Sequence, residues 1–381
     1  MQFVFFYHSL ISDWNHGNAH FLRGIATELQ RRGHGVRIFE PADGWSLKSL
    51  RREYGPNVIA DFEKYFPALK TNFYSLATLD LNEVLEDADV VIVHEWNEHE
   101  LVRRIGNHRS KANYILLFHD THHRALTDPG SMSRYELDNF DGVLAFGAVI
   151  RDIYVQHGWA RRAWTWHEAA DTSVFRPMPA ETLSGDVVWV GNWGDEERSA
   201  ELTDYLIRPI TELGLRANAF GVRYPEEGIA RFTGAGIPYC GWIPNYRVPD
   251  ILCHHRVTVH IPRRPYVAAL RGIPTIRVFE ALACGVPLVC SRWDDVEGLF
   301  SPGEDFLMAA TPEEMKRHLW SVVSDAKLAE ELSRNGLNAV ISRHTCAHRV
   351  NELFDILKMI RDIPSPPLGK SRVSVTGFAK T

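Results

Sequence analysis

The stretch from Arg271 to Val289 combines residue types that can hold an anion and a diol. Thr275, after Pro274, is placed to cap a helix that runs to Cys284, and Gly285 stops it. The free N–H groups and the dipole at such a helix start suit a diphosphate. Glu280 lies between one and two turns inside. From there its carboxylate could accept two hydrogen bonds from the vicinal hydroxyls of a ribose. The same residues also describe an ordinary helix between two strands, with Glu280 merely capped or solvated.

Other clusters carry chemistry of their own. Gly17 and Asn18 open a helix after the first strand, and a glycine there lets a ligand approach the backbone. His119 and Asp120 end an apolar run, with His122 and His123 just beyond. Imidazoles and a carboxylate suit zinc, but the spacing matches no standard zinc signature, so no metal is expected. Arg263 and Arg264 follow another apolar run and could add positive charge to a cleft. Asp294 and Asp295 read as a helix start. No Gly-x-Gly-x-x-Gly follows the first strand, which disfavours a dinucleotide oxidoreductase.

These residues need elements to position them. Apolar runs at 2–7, 36–39, 89–94, 114–119 and 143–146 alternate with helical patterns. The alternation restarts at 187–190 and continues at 217–220, 237–239, 257–261, 286–289 and 306–309. Short apolar runs separated by helices argue for parallel sheets buried on both faces. Residues 172–185 carry prolines and little periodicity and read as a linker. The expected organisation is an N-terminal domain over 1–172, a C-terminal domain over 185–343, a last helix over 344–362 and a disordered tail over 363–381. A length of 381 residues suits two α/β domains. The five cysteines are odd in number, without a Cys-x-x-Cys pair, as expected of reduced thiols in the cytoplasm. No run approaches the ~18 apolar residues of a membrane span. A net charge of -6 without a basic stripe predicts no nucleic-acid partner.

The Arg277-Val278-Phe279-Glu280-Ala281-Leu282-Ala283-Cys284-Gly285 run resembles the nucleotide-sugar motif of GT-B-fold glycosyltransferases, especially the retaining group with UDP- or GDP-sugar donors and its spore-maturation-protein-like branch. The resemblance spans roughly residues 1–362 and is most specific in the C-terminal half. It implies two Rossmann-like domains facing across a cleft, with the last helix crossing back to the N-terminal domain. It assigns the donor ribose to Glu280, and donor contacts to Gly17, Asn18, Gly191, Asn192, Arg271, Pro274, Thr275 and Ile276. Trp242, in Gly241-Trp242-Ile243-Pro244, would lie near the base. Arg198 would neutralise the diphosphate, since a guanidinium binds phosphate oxygens in bidentate fashion. His119 would line the sugar site. Asp171, Phe175 and Pro177 keep the spacing of the family's domain-crossing segment. One departure stands out: Gly272 occupies the place where the family often has a second Glu, and Arg271 is the candidate to cover part of that gap. The implied activity is metal-independent, retaining sugar transfer without a cofactor, to a glycan, lipid, protein or small molecule. An inverting enzyme would need a base among His16, His20 and His119. A sugar-nucleotide epimerase and an inactive binding or coat protein on the same scaffold are the alternatives.

Overall fold

The computed structural model describes residues 1–362. The expected tail over 363–381 lies outside the described residues.

Two all-parallel sheets organise the chain. The first holds β1 (Gln2–Phe6), β2 (Gly35–Pro41), β3 (Thr71–Tyr74), β4 (Val90–His94), β5 (Ile115–Asp120), β6 (Gly142–Ala145) and β7 (Ala163–Thr165), in the spatial order β3-β2-β1-β4-β5-β6-β7. The second holds β8 (Gly185–Val190), β9 (Ala217–Phe220), β10 (His255–His260), β11 (Leu288–Ser291) and β12 (Leu307–Ala309), in the order β12-β11-β10-β8-β9. The central strands are buried on both faces, which is why they are continuous apolar runs: Phe3 to Phe6 and Val90 to Val93 are fully buried.

The order of each sheet fixes where a ligand can bind. In the first sheet the chain moves outward from β1 to β3, then returns to place β4 on the other side of β1. In the second it moves from β8 to β9, then places β10 on the other side of β8. Ligands of open α/β sheets bind beyond the carboxyl ends of the strands at such reversals. Those ends carry Tyr7 and His8 beside Glu95 in one domain, and Gly191 beside Ile261 in the other.

Four elements differ from the sequence expectation. The short strands β3 and β7 were not foreseen. Residues 237–239 form only a single bridge, Ala219 to Tyr239, because Pro238 has no N–H to extend a ladder. Asp294 and Asp295 lie in a loop, where Asp295 accepts from the Phe300 N–H at 2.8 Å, rather than starting a helix.

The chain crosses between the domains twice, side by side. Ala170 N donates to His344 O and Cys346 N to Ala170 O, each at 2.9 Å. The last helix, Cys346–Asp362, then lies on the N-terminal domain. There the Trp166 indole donates to Arg349 O at 2.8 Å, and Arg32 reaches Ala347 O and Asn351.

Candidate active site

The C-terminal wall of the cleft is built on the helix Ile276–Ala283. Val278, Phe279 and Leu282 bury its apolar face, leaving Arg277 and Glu280 three residues apart on its polar edge. Thr275 has the extended backbone of a cap but makes no side-chain cap bond. Its hydroxyl lies 3.3 Å from His260 Nε2 at the end of β10, so the first-turn N–H groups receive nothing from it.

Glu280 is 1 % exposed. Its Oε1 accepts from His20 Nδ1 at 2.9 Å and Asn245 Nδ2 at 2.7 Å, and its Oε2 from Arg277. His20 is the neutral Nδ1–H tautomer, because its Nε2 accepts from the Asp171 N–H at 2.7 Å. Phe175 stacks on the same imidazole at 4.0 Å, so the domain-crossing segment holds His20 in place. Burial alone would push the Glu280 pKa up, but Arg277, His20 and Asn245 outweigh it and hold the group below its usual value. Three of the roughly four lone-pair positions of a carboxylate are then in use. One remains, on the Arg277 side.

Two cavities meet in the cleft, the smaller of them reaching this wall at Arg277. The smaller, about 90 Å³, runs past Gly191, Asn192, Trp242, Asn245 and Arg277. The larger, about 440 Å³, opens between His8, Trp45 and Trp96 on one side and Arg263 and Tyr266 on the other. Asn15, His16, Gly17 and Asn192 line both, so they mark the junction. The domains are in contact there. Asp13 accepts from Arg23, from the Trp242 indole and from the Asn245 N–H, each at 2.9 Å, and Asn192 donates to Asn15. A Cβ on Gly17 would lie 3.1 Å from Ile276 Cγ2, so its lack of a side chain permits this approach.

Residues 198–355 match the family model described as glycosyl transferase-like. Among solved structures, sucrose-phosphate synthase from Thermosynechococcus elongatus aligns at a TM-score of 0.64 and 15% identity, covering 94% of this chain and 100% of that one. Anabaena HepE in complex with UDP aligns at 0.64 and 13%, covering 94% and 100%. An alpha-glucosyltransferase in complex with UDP and a 13-mer DNA containing an HMU base aligns at 0.68 and 12%, covering 94% and 99%. The chain has the two-sheet GT-B fold of these glycosyltransferases. No curated protein sequence matches it.

Within this fold the expected site residues divide. Gly17, Gly191, Asn192 and Trp242 line the smaller cavity. Asn18 lines the larger, its amide donating to Thr121 Oγ1 at 2.5 Å. Pro274 and Ile276 are buried at the helix start, with Thr275 half-buried beside them.

Three residues fall elsewhere. Arg198 is buried with its guanidinium committed: Nη1 donates to Ile261 O at 2.9 Å, and Nη2 to Asn192 O and Oδ1 at 2.6 Å. It faces the Trp189 ring rather than either cavity, and burial lowers its pKa to about 9. Freeing it would abandon charge-assisted bonds of ~1.5–3 kcal/mol each. Its place is under the Asn192 turn. His119 is packed under Trp166 and Phe21, hydrogen-bonded to Tyr7 Oη at 2.9 Å, and lines neither cavity. Arg271 is exposed and paired with Asp294 at 3.1 Å, so it does not replace the missing Glu. Among the described residues, no three His, Cys, Asp or Glu side chains are placed to hold a metal ion. Asp120 instead accepts from Tyr154 Oη at 2.8 Å and from the His122 N–H at 3.0 Å.

The sequence reading missed Arg277, Asp13, Asn245 and His8. Arg277 had a signal, since Arg and Glu three apart on one helix lie side by side. His8 had a weaker one, as the first polar residue beyond a buried strand. Asp13 and Asn245 meet only through the tertiary fold.

Proposed function

We propose that this enzyme transfers a sugar from a UDP- or GDP-sugar to an acceptor hydroxyl, with retention, and without a metal or cofactor. The observation that carries this reading is the junction of two cavities at Asn15, His16, Gly17 and Asn192. A single-substrate isomerase has no use for the larger one, which argues against the epimerase reading.

The nucleotide would lie in the smaller cavity, its base against Trp242, with a ribose hydroxyl reaching past Arg277 to the remaining lone pair of Glu280, which lines an adjoining recess of about 10 Å³ rather than the cavity itself. A volume of about 90 Å³ is below the ~300–1,000 Å³ of ordinary ligand pockets, so the cross-cleft contacts of Asp13 and His20 must loosen on entry. Arg277 would stabilise the charge that develops on the departing diphosphate. The acceptor oxygen bonds the anomeric carbon, and the carbon–phosphate oxygen bond breaks with its electron pair. The acceptor proton passes to the departing diphosphate, which leaves from the same face. His16 orients that hydroxyl: burial, then the closeness of the His8 imidazole, holds its pKa well below the ordinary value, so it is a weak base and a usable hydrogen-bond acceptor.

Three similar alpha-glucosyltransferase structures contain DNA, so the fold admits such a ligand. In this cleft, Arg263 is paired with Glu197 at 3.0 Å and Arg223 with Asp195 at 2.9 Å, which argues against a polyphosphate acceptor. Among the described residues no helix is long and apolar enough to cross a membrane, and a cytoplasmic site of action is proposed.

The test is incubation with UDP- and GDP-sugars, with and without cell-extract acceptors, following nucleotide diphosphate release and the anomer formed. Acceptor-dependent release supports transfer. Isomerised donor, or binding without turnover under every condition, overturns it.

A further inference from the structure

We infer that the larger cavity is an acceptor site built for a neutral sugar ring. The inference rests on the transferase reading above and narrows its acceptor to one chemical class.

The cavity offers flat apolar faces. The indoles of Trp45 and Trp96 stand 6.2 Å apart with their planes at 62°, forming a corner, and Tyr266 closes the far side. Both indoles are held from behind. Trp45 stacks on His8 at 5.6 Å and 9°, while the Arg124 guanidinium sits 4.1 Å from the Trp96 ring centre. Trp45 is nonetheless 40% exposed. Covering such a surface gains roughly 25 cal/mol per Å² of apolar area, and a rigid indole loses little entropy in doing so.

The cavity also offers neutral groups that read hydroxyls. His8 is 3% and His16 6% exposed, with ring centres 4.0 Å apart. Both ring nitrogens of His8 and the Nε2 of His16 have no hydrogen-bond partner. A buried polar atom left unpaired costs ~1–3 kcal/mol, a deficit a ligand can offset. A neutral imidazole presents one donor and one acceptor, the pairing a hydroxyl needs. Burial, with His94 and Arg124 nearby, keeps His8 in that neutral form.

The charges lining the cavity are already matched, Arg263 by Glu197 and Arg223 by Asp195. An anionic acceptor would find no unpaired cation there. An alkyl alcohol would cover the indoles but leave the imidazoles unpaired. A pyranose has an apolar C–H face and a hydroxylated edge, so it meets both requirements. His16, shared by both cavities, would place one of its hydroxyls beside the donor sugar.

The experiment uses the full chain. UDP and GDP affinities are measured first by calorimetry, on the wild type and on Trp45→Ala, Trp96→Ala and the milder Trp45→Phe. Nucleotide release from the accepted donor is then followed with neutral methyl glycosides and short oligosaccharides, with the matching uronates, with alkyl alcohols and with a DNA oligomer. Release driven by neutral sugars, with an acceptor KM raised at least tenfold by Trp45→Ala at unchanged nucleotide affinity, supports the inference. Nucleotide binding with release driven only by uronates, alcohols or DNA overturns it and leaves the donor site standing. So does an acceptor KM indifferent to both Trp45→Ala and Trp45→Phe. Absence of nucleotide binding overturns the transferase reading itself.

Discussion

A guanidinium helps a departing diphosphate only if it is free to turn toward it. Arg198 is not free, because Ile261 O and Asn192 hold it. Arg277 is partly exposed, lines the smaller cavity and pairs with Glu280, its charge also reaching the buried Glu168. The two arginines therefore respond differently to truncation. Arg198→Ala leaves buried carbonyls unpaired and lowers stability by ~3 kcal/mol, read as a fall in the urea midpoint. Arg277→Ala lowers UDP or GDP affinity at least tenfold, about 1.4 kcal/mol, with a smaller change in that midpoint. An equal loss of affinity in both variants, at equal folded fraction, would contradict this division. Glu280→Gln tests the neighbouring group. It keeps an acceptor oxygen but loses the charge that pairs with Arg277, so donor affinity falls by about tenfold while the acceptor KM stays constant.

The loop before the Ile276–Ala283 helix leaves no room for a Glu at position 272. Gly272 has φ +94°, and a Cβ there would lie 2.8 Å from Glu297 Cγ. Glu297 is itself engaged across the cleft, accepting from the Ala148 N–H at 2.9 Å and lying 2.9 Å from His167 Nε2. Gly272→Glu is therefore expected to destabilise the protein by ~1–3 kcal/mol and to lower turnover rather than raise it. A thermal melt and a donor-release assay check both, and a variant that is stable and faster would show that the loop can re-form. The same scale shows what the sequence could reveal. Buried central strands were legible because parallel packing demands apolar runs. The edge strands β3 and β7 were not, since Thr71–Tyr74 and Ala163–Thr165 are short and only partly buried. Glu280 was legible from one helix. The pairing of Asp13 with Trp242 and Asn245 was not, because it joins residues more than 200 positions apart. Arg198 misled because a basic residue in the right place does not reveal where its side chain turns.

At the scale of the whole molecule, the cleft concentrates titratable groups whose pKa values burial has moved, and their signs set a pH optimum for stability. Burial is the largest cause in each case. His8, His16, His94, His119 and His122 are held well below their ordinary value, and His260 and His344 fall to about 3. Below pH ~6.5 the unfolded chain gains protons at these sites that the folded protein refuses, so stability is lost as pH falls. The carboxyls act in the opposite sense. Asp120 rises to about 7, Glu95 to about 8, and Glu40 and Glu168 are also raised. The folded protein keeps those protons while the unfolded chain releases them near pH 4, so stability is lost as pH rises through 7 and 8. Between pH ~4.5 and 6.5 the seven histidines outnumber the four carboxyls, and the net slope is upward. Above pH ~6.5 the histidines no longer contribute and the slope turns downward, at up to about 1.4 kcal/mol per pH unit for each mismatched proton. The urea midpoint should therefore peak near pH 6.5. Asp120→Asn, which cannot ionise, removes one opposing proton between pH ~4 and 7, so it should steepen the acid limb and leave the limb above pH 7 in place. A midpoint rising steadily to pH 8.5 in the wild type would mean that these carboxyls are ionised in the folded protein, and that the floor of the cleft is wetter than its packing indicates.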